Sequence, residues 1–421
     1  MQSQTKIVEN IFRYEYGKIM AILVNRFGPA YLEKIEDAVQ DALLKAMQVW
    51  GYKNVPDKPT SWLLRVAANS LIDTLRRDKK LMYNDREISL DLVSGPEELA
   101  LENTISDSQL KMIFACCHPS LSEEYQIILS LKLIGGFGNR EIAKVLLKNE
   151  EAIAKSFTRA KRKLKQHIST LDIPVEIGLQ SRLFVVIRVV YLLFSEGYAP
   201  SSGDLIIKKD VCFEAIRLAL LLVENEYCKH PDLYALIALM CFHVSRFDAR
   251  LNDNMEMIDL EHQDRSRYNR ELIQIGITHL ENAGKGTRQP SNYHLEAAAS
   301  YYHCVAKTFR ETNWKRILHL YDLQLKRQYS PFVALNRIIP FYMEYGADKA
   351  FKELKQYELS LYFKANKLYY AILAELYTQM NHSKEAVRAL ESAIDLTNNE
   401  LEKKHLNKKL TALKKQNSFP N

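Results

Sequence analysis

The residues of this chain best suited to chemistry are recognition groups rather than bond-making ones. Lys155, Ser156, Arg159, Lys161, Arg162, Lys163 and Lys165 crowd one short stretch. Guanidinium groups can grip base edges bidentately, and ammonium groups hold phosphates, so such a run on a helix suits a nucleic-acid partner. A solvated helix end, where cations complement the C-terminal dipole, has the same composition. A second group, Glu36, Asp37, Gln40 and Asp41, puts carboxylates and an amide on one helix and suits a basic partner surface. A third, Trp62, Arg65, Asn69, Asp73, Arg76 and Arg77, mixes an indole with cations and polar groups. There Trp62 fits a core position as well as a contact, and Asp73 fits a local ion pair with Arg76 or Arg77.

Other tempting sets lack what their chemistry needs. Cys116-Cys117-His118 has no second ligand pair at zinc spacing and reads as a buried helix face. The run Asp248–Asp264 holds Asn252, Asp253, Asn254, Glu256, Asp259, Glu261 and His262, without the glycine and spacing of a calcium loop. It reads as a structural or partner-contact segment. No Gly-rich phosphate loop or nucleophile–base set is present, so neither an enzyme, a metal nor a cofactor is expected.

These groups must be carried by helices. The 421 residues include only 14 Gly and 12 Pro, and 47% are apolar. That composition predicts an all-α protein of two or three domains. Ile19, Ile22, Leu23 and Phe27 recur at helical spacing, as do Ile35, Val39, Ala42, Leu43 and Ala46 within a helix over 31–50. Gly51, Pro56 and Pro59 break the pattern, and Thr60 or Ser61 can cap a third helix ending near Arg77. Residues 85–107 are acidic around Gly95-Pro96 and read as an extended linker. A short helix over 139–147, a turn at Lys148-Asn149 and a longer helix over 150–167 form a helix-turn-helix pattern. Near the C-terminus Tyr370, Leu373, Ala374, Tyr377, Ala386, Leu390 and Ala393 match a tetratricopeptide unit, with a degraded copy 36 residues earlier at Phe341, Ala350 and Leu354.

Three stretches, Ile35–Ala42, Ser61–Asn69 and Asp73–Arg77, together with Arg140-Glu141-Ile142-Ala143 and Arg159–Leu164, resemble the extracytoplasmic-function sigma factors of the sigma-70 superfamily. The resemblance covers roughly residues 8–168. Phe114–Pro119, Phe194–Ala199 and Gln263–Tyr268 further resemble a subgroup with a tetratricopeptide-like C-terminal extension. The resemblance implies that Glu36, Asp37, Gln40 and Asp41 dock on core RNA polymerase. It implies that the helix bearing Trp62, Arg65, Asn69, Asp73, Arg76 and Arg77 reads the −10 element of promoter DNA, with Tyr52, Lys53 and Asn54 in a base-capture loop. Capturing bases outside the stack needs polar pockets beside a basic track. Lys155, Ser156 and Arg159 are then base-edge candidates at the −35 element, with Arg162, Lys163 and Lys165 on phosphates. Ala152 and Ala154 stand where the family often carries Thr and Arg, which leaves the −35 sequence open.

The expected organisation is therefore a region 2 helical domain over 1–84, an acidic linker over 85–108, a region 4 helix-turn-helix over 109–170 and a tetratricopeptide-like regulatory domain over 175–421. The last suits a protein or peptide partner. A one-component helix-turn-helix regulator with a sensing domain is the alternative. It leaves the acidic face and the Trp62–Arg77 helix without a use. Six Cys without a disulfide framework, a polar N-terminus and apolar runs too short to span a bilayer imply a cytoplasmic protein with no membrane partner.

Overall fold

Apolar residues spaced three and four apart turn nearly every long segment into a one-sided helix, and those sides bury one another. A computed structural model describes residues 2–50, 55–81, 98–146, 148–173, 177–199, 207–252, 256–285, 289–357 and 360–417. Tyr52, Lys53, Asn54 and the acidic residues 85–97 lie outside them. Among the described residues the regular elements are helices, apart from one antiparallel bridge between Leu251 and Met257. None is long and apolar enough to cross a membrane.

The chain forms two compact units, one of residues 1–197 and 209–229 and the other of 198–208 and 230–421. The first holds α1 (Gln2–Phe27), α2 (Leu32–Trp50), α3 (Pro59–Leu81), α4 (Glu98–Cys116), α5 (Glu123–Leu133), α6 (Asn139–Val145), α7 (Glu150–His167), α8 (Ile177–Tyr198, its last residue counted with the second unit) and α9 (Lys209–Glu224). α3 begins at Pro59 rather than after a Thr60 or Ser61 cap, because proline's fixed φ and missing N–H suit the first helical position. Residues 98–108, expected to be extended, are the opening turns of α4. They lead into a run of side chains, Met112 to Cys117, buried to 2% exposure or less, so tertiary burial overrides the acidic composition. Asn25 of α1 donates to Ser108 Oγ at 3.1 Å, fixing the start of that run.

The expected short helix, turn and longer helix are present as α6 and α7. Ser122 caps α5 and Asn149 caps α7, the Asn149 side chain accepting from Ala152 N at 2.7 Å. The Glu141 carboxylate accepts from Gly138 N at 2.9 Å at the head of α6. Cys116 and Cys117 are 0% and 1% exposed, but α4 ends at Cys116, so Cys117 and the half-buried His118 lie beyond it rather than on the helix face expected; burial pushes the Cys117 thiol up to about 12. Gly17 lets α1 press against the end of α5, since a Cβ there would collide with the Ile134 carbonyl. The extension does not begin as a separate body. Arg182 of α8 donates to the Phe114 carbonyl at 3.4 Å, and Arg188 pairs with Glu123. Arg217 of α9 binds Glu214 at 2.8 Å and reaches Gln109 of α4.

The second unit holds α10 (Pro231–Val244), α11 (Phe247–Arg250), α12 (Arg270–Gly284), α13 (Asn292–Val305), α14 (Trp314–Arg327), α15 (Pro331–Tyr345), α16 (Ala347–Lys355), α17 (Leu361–Lys364), α18 (Lys367–Gln379), α19 (Ser383–Asp395) and α20 (Glu400–Asn417). From α13 onward the longer helices pack on their neighbours in chain order, as stacked hairpins do. Ala350 and Leu354 of α16 and Ala386 and Leu390 of α19 are buried, with Phe341 and Tyr377 packed against their shared core. Residues 36 apart in sequence thus hold like positions on successive helix pairs.

Candidate functional site

On α2 the apolar positions Leu32, Ile35, Ala38, Val39, Ala42 and Ala46 face inward, which turns the intervening residues out. Asp37, Gln40 and Asp41 are exposed, as expected. Leu44 and Met47, 57% and 42% exposed, lie one turn further along. Neither belongs to the apolar spacing of Ile35, Val39, Ala42, Leu43 and Ala46, and nothing in the local pattern marks them as contacts. Exposed apolar groups beside carboxylates give α2 a mixed outward face, the composition that interfaces combine. Glu36 departs from expectation: it is only 7% exposed and turns away from that face.

The α3 residues form one stripe. Successive steps of three and four residues put Trp62, Arg65, Asn69, Asp73 and Arg76 on a single side of the helix. Arg65, Asn69, Asp73 and Arg76 are exposed, and Leu63, Leu64, Ala67, Ala68, Leu71, Ile72 and Leu75 fill the other side. Trp62 is half-buried, its ring 5.4 Å from that of Trp50 at a 57° tilt. It is thus packed against Trp50 without being fully buried. Arg77 folds back to donate to Thr74 Oγ1 at 3.1 Å and to the Asp73 backbone carbonyl at 3.4 Å. Lys34 of α2 pairs with Asp78 and ties the two helices together.

α7 divides the basic cluster three ways. Ile153, Phe157, Ala160 and Leu164 are buried. Opposite them Lys155, Arg159 and Arg162 form an exposed stripe, with Lys155 pairing to Glu151 at 2.6 Å. On one flank Ser156 donates to Glu124 Oε1 of α5 at 3.3 Å, and the exposed Lys163 lies 5.7 Å from the Tyr125 ring. On the other flank Lys161 and Lys165 turn toward α2. Lys161 pairs with Glu36, and Lys165 pairs with Glu33 at 2.6 Å.

Glu36 of α2 pairs with Lys161 of α7 and interacts electrostatically with Lys132 of α5 and Tyr16 of α1. Burial pushes its carboxyl above the ordinary range, although the Lys161 and Lys132 ammonium groups pull it down. Burial also raises the Tyr16 phenol, and the Glu36 charge adds to the effect. Burial opposes the Glu33 carboxylate too, but there the Lys165 ammonium outweighs it and holds the carboxyl low. Glu36 and Lys165, expected on different partners, are thus both engaged within the chain.

In the second unit the two motifs of the extension hold structure together. Arg246 donates to the Tyr198 hydroxyl at 3.1 Å, and the Arg250 guanidinium stacks 4.1 Å from the Tyr198 ring. Arg265 ends α13 by donating to the His303 and Ala306 carbonyls, the latter at 2.9 Å. The acidic segment is covered by α20: Glu256 pairs with Lys404 and Lys408 at 3.2 and 2.6 Å. Asp259 pairs with His405 and Lys409 at 3.1 and 2.7 Å. Among the described residues no group of His, Cys, Asp and Glu is arranged to hold a metal ion.

Comparison with known families places these faces in context. Residues 11–81 match the model of sigma-70 region 2, residues 111–164 that of sigma-70 region 4, and residues 182–284 a family of unknown function designated DUF6596. An uncharacterized protein of Rhizobium meliloti (strain 1021) is 31% identical over 388 residues, 91% of this chain and 90% of its own. The RNA polymerase sigma factor YlaC of Bacillus subtilis (strain 168) is 23% identical over 38% of this chain and 92% of its own length. The ECF RNA polymerase sigma factor SigM of the same organism is 25% identical over 38% of this chain and 93% of its own. No solved structure matches.

Proposed function

This chain belongs to the sigma-70 family as an alternative sigma factor of the extracytoplasmic-function type with a C-terminal helical extension, and from that premise we propose which of its surfaces do the work. As a family member it binds core RNA polymerase and promoter DNA and serves transcription initiation. The observation that carries the assignment is that the exposed α2 face, the α3 stripe and the α7 stripe stand clear of the helices' packed sides.

Asp37, Gln40 and Asp41, joined by Leu44 and Met47, dock on the polymerase. Trp62, Arg65, Asn69, Asp73, Arg76 and Arg77 read the −10 element and stabilise its opened strand, where aromatic stacking and a basic track cooperate. Lys155 and Arg159 reach base edges at −35, and Arg162 and Lys163 hold phosphates. Region 2 functions are thereby assigned to 1–84, region 4 functions to 109–170 and regulation to the chain beyond 175. RNA synthesis is left to the polymerase, and the chain works as a non-catalytic factor in the cytoplasm. The stacked hairpins of α13–α20 suit a protein or peptide ligand.

The test is transcription in vitro with sigma-free core polymerase and a library of fragments of the host genome, mapping transcript 5′ ends. Discrete starts sharing two upstream elements are expected. N69A/R76A/R77A should bind core but not open promoters, and D37A/Q40A/D41A/L44A should lose core binding. The reverse pattern would overturn the residue assignments.

A further inference from the structure

Three segments meet inside the second unit: the end of α10, the turn at Arg265–Arg267 and the end of α13. Ser245 Oγ lies 3.7 Å from Cys304 Sγ, and Asn269 N donates to the Ser245 carbonyl at 2.8 Å. The meeting encloses an excess of positive charge. Arg246 and Arg265 are 8% and 7% exposed, and among the described residues no carboxylate pairs with either. Glu311 acts on Arg265 only weakly, from an exposed side chain that accepts from Thr308 Oγ1 at 3.1 Å. The imidazoles nearby carry no charge. Burial and the two guanidiniums bring His303 from 6.5 down to about 3, and burial with Arg246 and Arg250 holds His243 well below its ordinary range.

A guanidinium taken out of water loses its hydration, and hydroxyls and carbonyls return only part of it. Arg265 donates to the His303 and Ala306 carbonyls and to Thr312 Oγ1. Arg246 is less well served. Its Nη2 meets the Tyr198 hydroxyl and His243 Nδ1 at 3.1 and 3.2 Å, while its Nε is buried without a hydrogen-bond partner. His303 Nδ1 is buried and unpartnered as well. Buried donors left over in a packed interior call for an acceptor. An oxyanion would accept from Arg246 Nε, and from His303 in its Nδ1-protonated tautomer, and its charge would offset both guanidiniums.

Aromatic rings wall the cluster. The Arg265 guanidinium lies 5.9 Å from the Tyr268 ring, and the Trp314 ring lies 5.3 Å from that of His303. Apolar walls with a few converging polar groups are the make-up of a small-molecule site. Groups buried this deeply are out of reach of a duplex or a folded partner, so the occupant is small.

We propose that Arg246, Arg265 and His303 form a binding site for a small oxyanion, the carboxylate or phosphate group of a metabolite. The site lies wholly within the second unit and goes beyond the polymerase and promoter assignments, on which it does not depend.

The experiment uses the free full-length chain, without polymerase or DNA. Thermal melts and calorimetric titrations are run with inorganic phosphate and with succinate, the ionic strength being held constant with chloride. At least one of the two should bind saturably, one per chain, and raise the melting midpoint with concentration as a ligand of the folded state does. R246M should weaken that binding at least tenfold and cancel the saturable rise, while the general salting effect of the same anions persists in both proteins. R246M leaves no carboxylate unpaired, so the variant should fold. R246K keeps the charge without the planar fork and should bind severalfold more weakly than wild type. It carries the comparison if R246M fails to give a cooperative melt. Binding of phosphate alone assigns a phosphorylated ligand and binding of succinate alone a carboxylate, and either supports the site. No saturable binding of either anion, or unchanged binding in the folded variants, overturns it.

Discussion

Arg159 and Arg162 lie one turn apart on the exposed stripe of α7, yet they are assigned different work. R159A should cost about 1–3 kcal/mol of discrimination at one −35 position, seen as relaxed preference among single-base promoter variants. R162A should weaken all promoters alike and lower the slope of log affinity against log salt by about 1. Glu36 answers to a different constraint. Its carboxyl is raised by burial, so the charged form is the strained one, and folding is favoured as pH falls toward the carboxyl's titration range. Removing Lys161 takes away the main opposing charge and raises it further. K161A should therefore cost about 3 kcal/mol in urea melts at pH 8, and less at an acidic pH where Glu36 takes up a proton. An equal cost at both pH values would mean that Glu36 does not carry the charge.

At the scale of elements, α20 is held to the segment around the Leu251–Met257 bridge by carboxylates on one side and lysines and a histidine on the other. The Lys408 hydrogen bond, with help from Asn252 and Lys404, brings Glu256 from its ordinary 4.5 down to about 2. Burial opposes Asp259, yet His405 and Lys409 hold it low as well. A lowered carboxyl contributes stability that is complete above its ordinary value and is lost as pH falls through the lowered one. Amide exchange in α20, corrected for intrinsic rate, should be constant from pH 7 to 5 and accelerate between 4.5 and about 2. E256Q should show faster exchange at pH 7 and a smaller further change on acidification. The acidic run reads in sequence as either a structural or a partner-contact segment, and the structural choice is invisible there because its partners lie about 150 residues away.

For the whole molecule, the compact units do not divide where the 175–421 domain was expected to begin. Val211, Cys212, Ala215, Ile216, Leu218, Ala219 and Leu222 of α9 are buried within the first unit, which also includes residues 177–197 of α8. A fragment of residues 1–229 should unfold in one cooperative transition in urea. A fragment of 1–170 should bind a hydrophobic dye and melt earlier, because removing α8 and α9 exposes apolar surface worth about 25 cal/mol per Å². Equal melts for the two would show that α8 and α9 add nothing to the unit. Loss of activity on cutting at 170 would therefore report damage to the unit as well as loss of regulation.

The sequence alone determined what depends on period and local chemistry. Helical spacing of apolar residues made the chain all-α, and the turn at Lys148-Asn149 marked the start of α7, whose cap by Asn149 the structure adds. The outward positions of Arg65, Asn69, Arg76, Asp37 and Arg159 followed from the same period. Tertiary structure decided whatever depends on residues far apart in the chain. Glu36 and Lys165 are chemically fit for surface partners, and only the meeting of α2 with α7, over a hundred residues apart, turned Glu36 to Lys161 and Lys165 to Glu33. Leu44 and Met47 look like core residues until the packed side of α2 is seen to be full. Residues 98–108 look extended until α4 has the burial that makes a helix stable. Each case has one physical cause: periodicity and capping act over a few residues, whereas burial and charge pairing are set by whichever distant surface arrives.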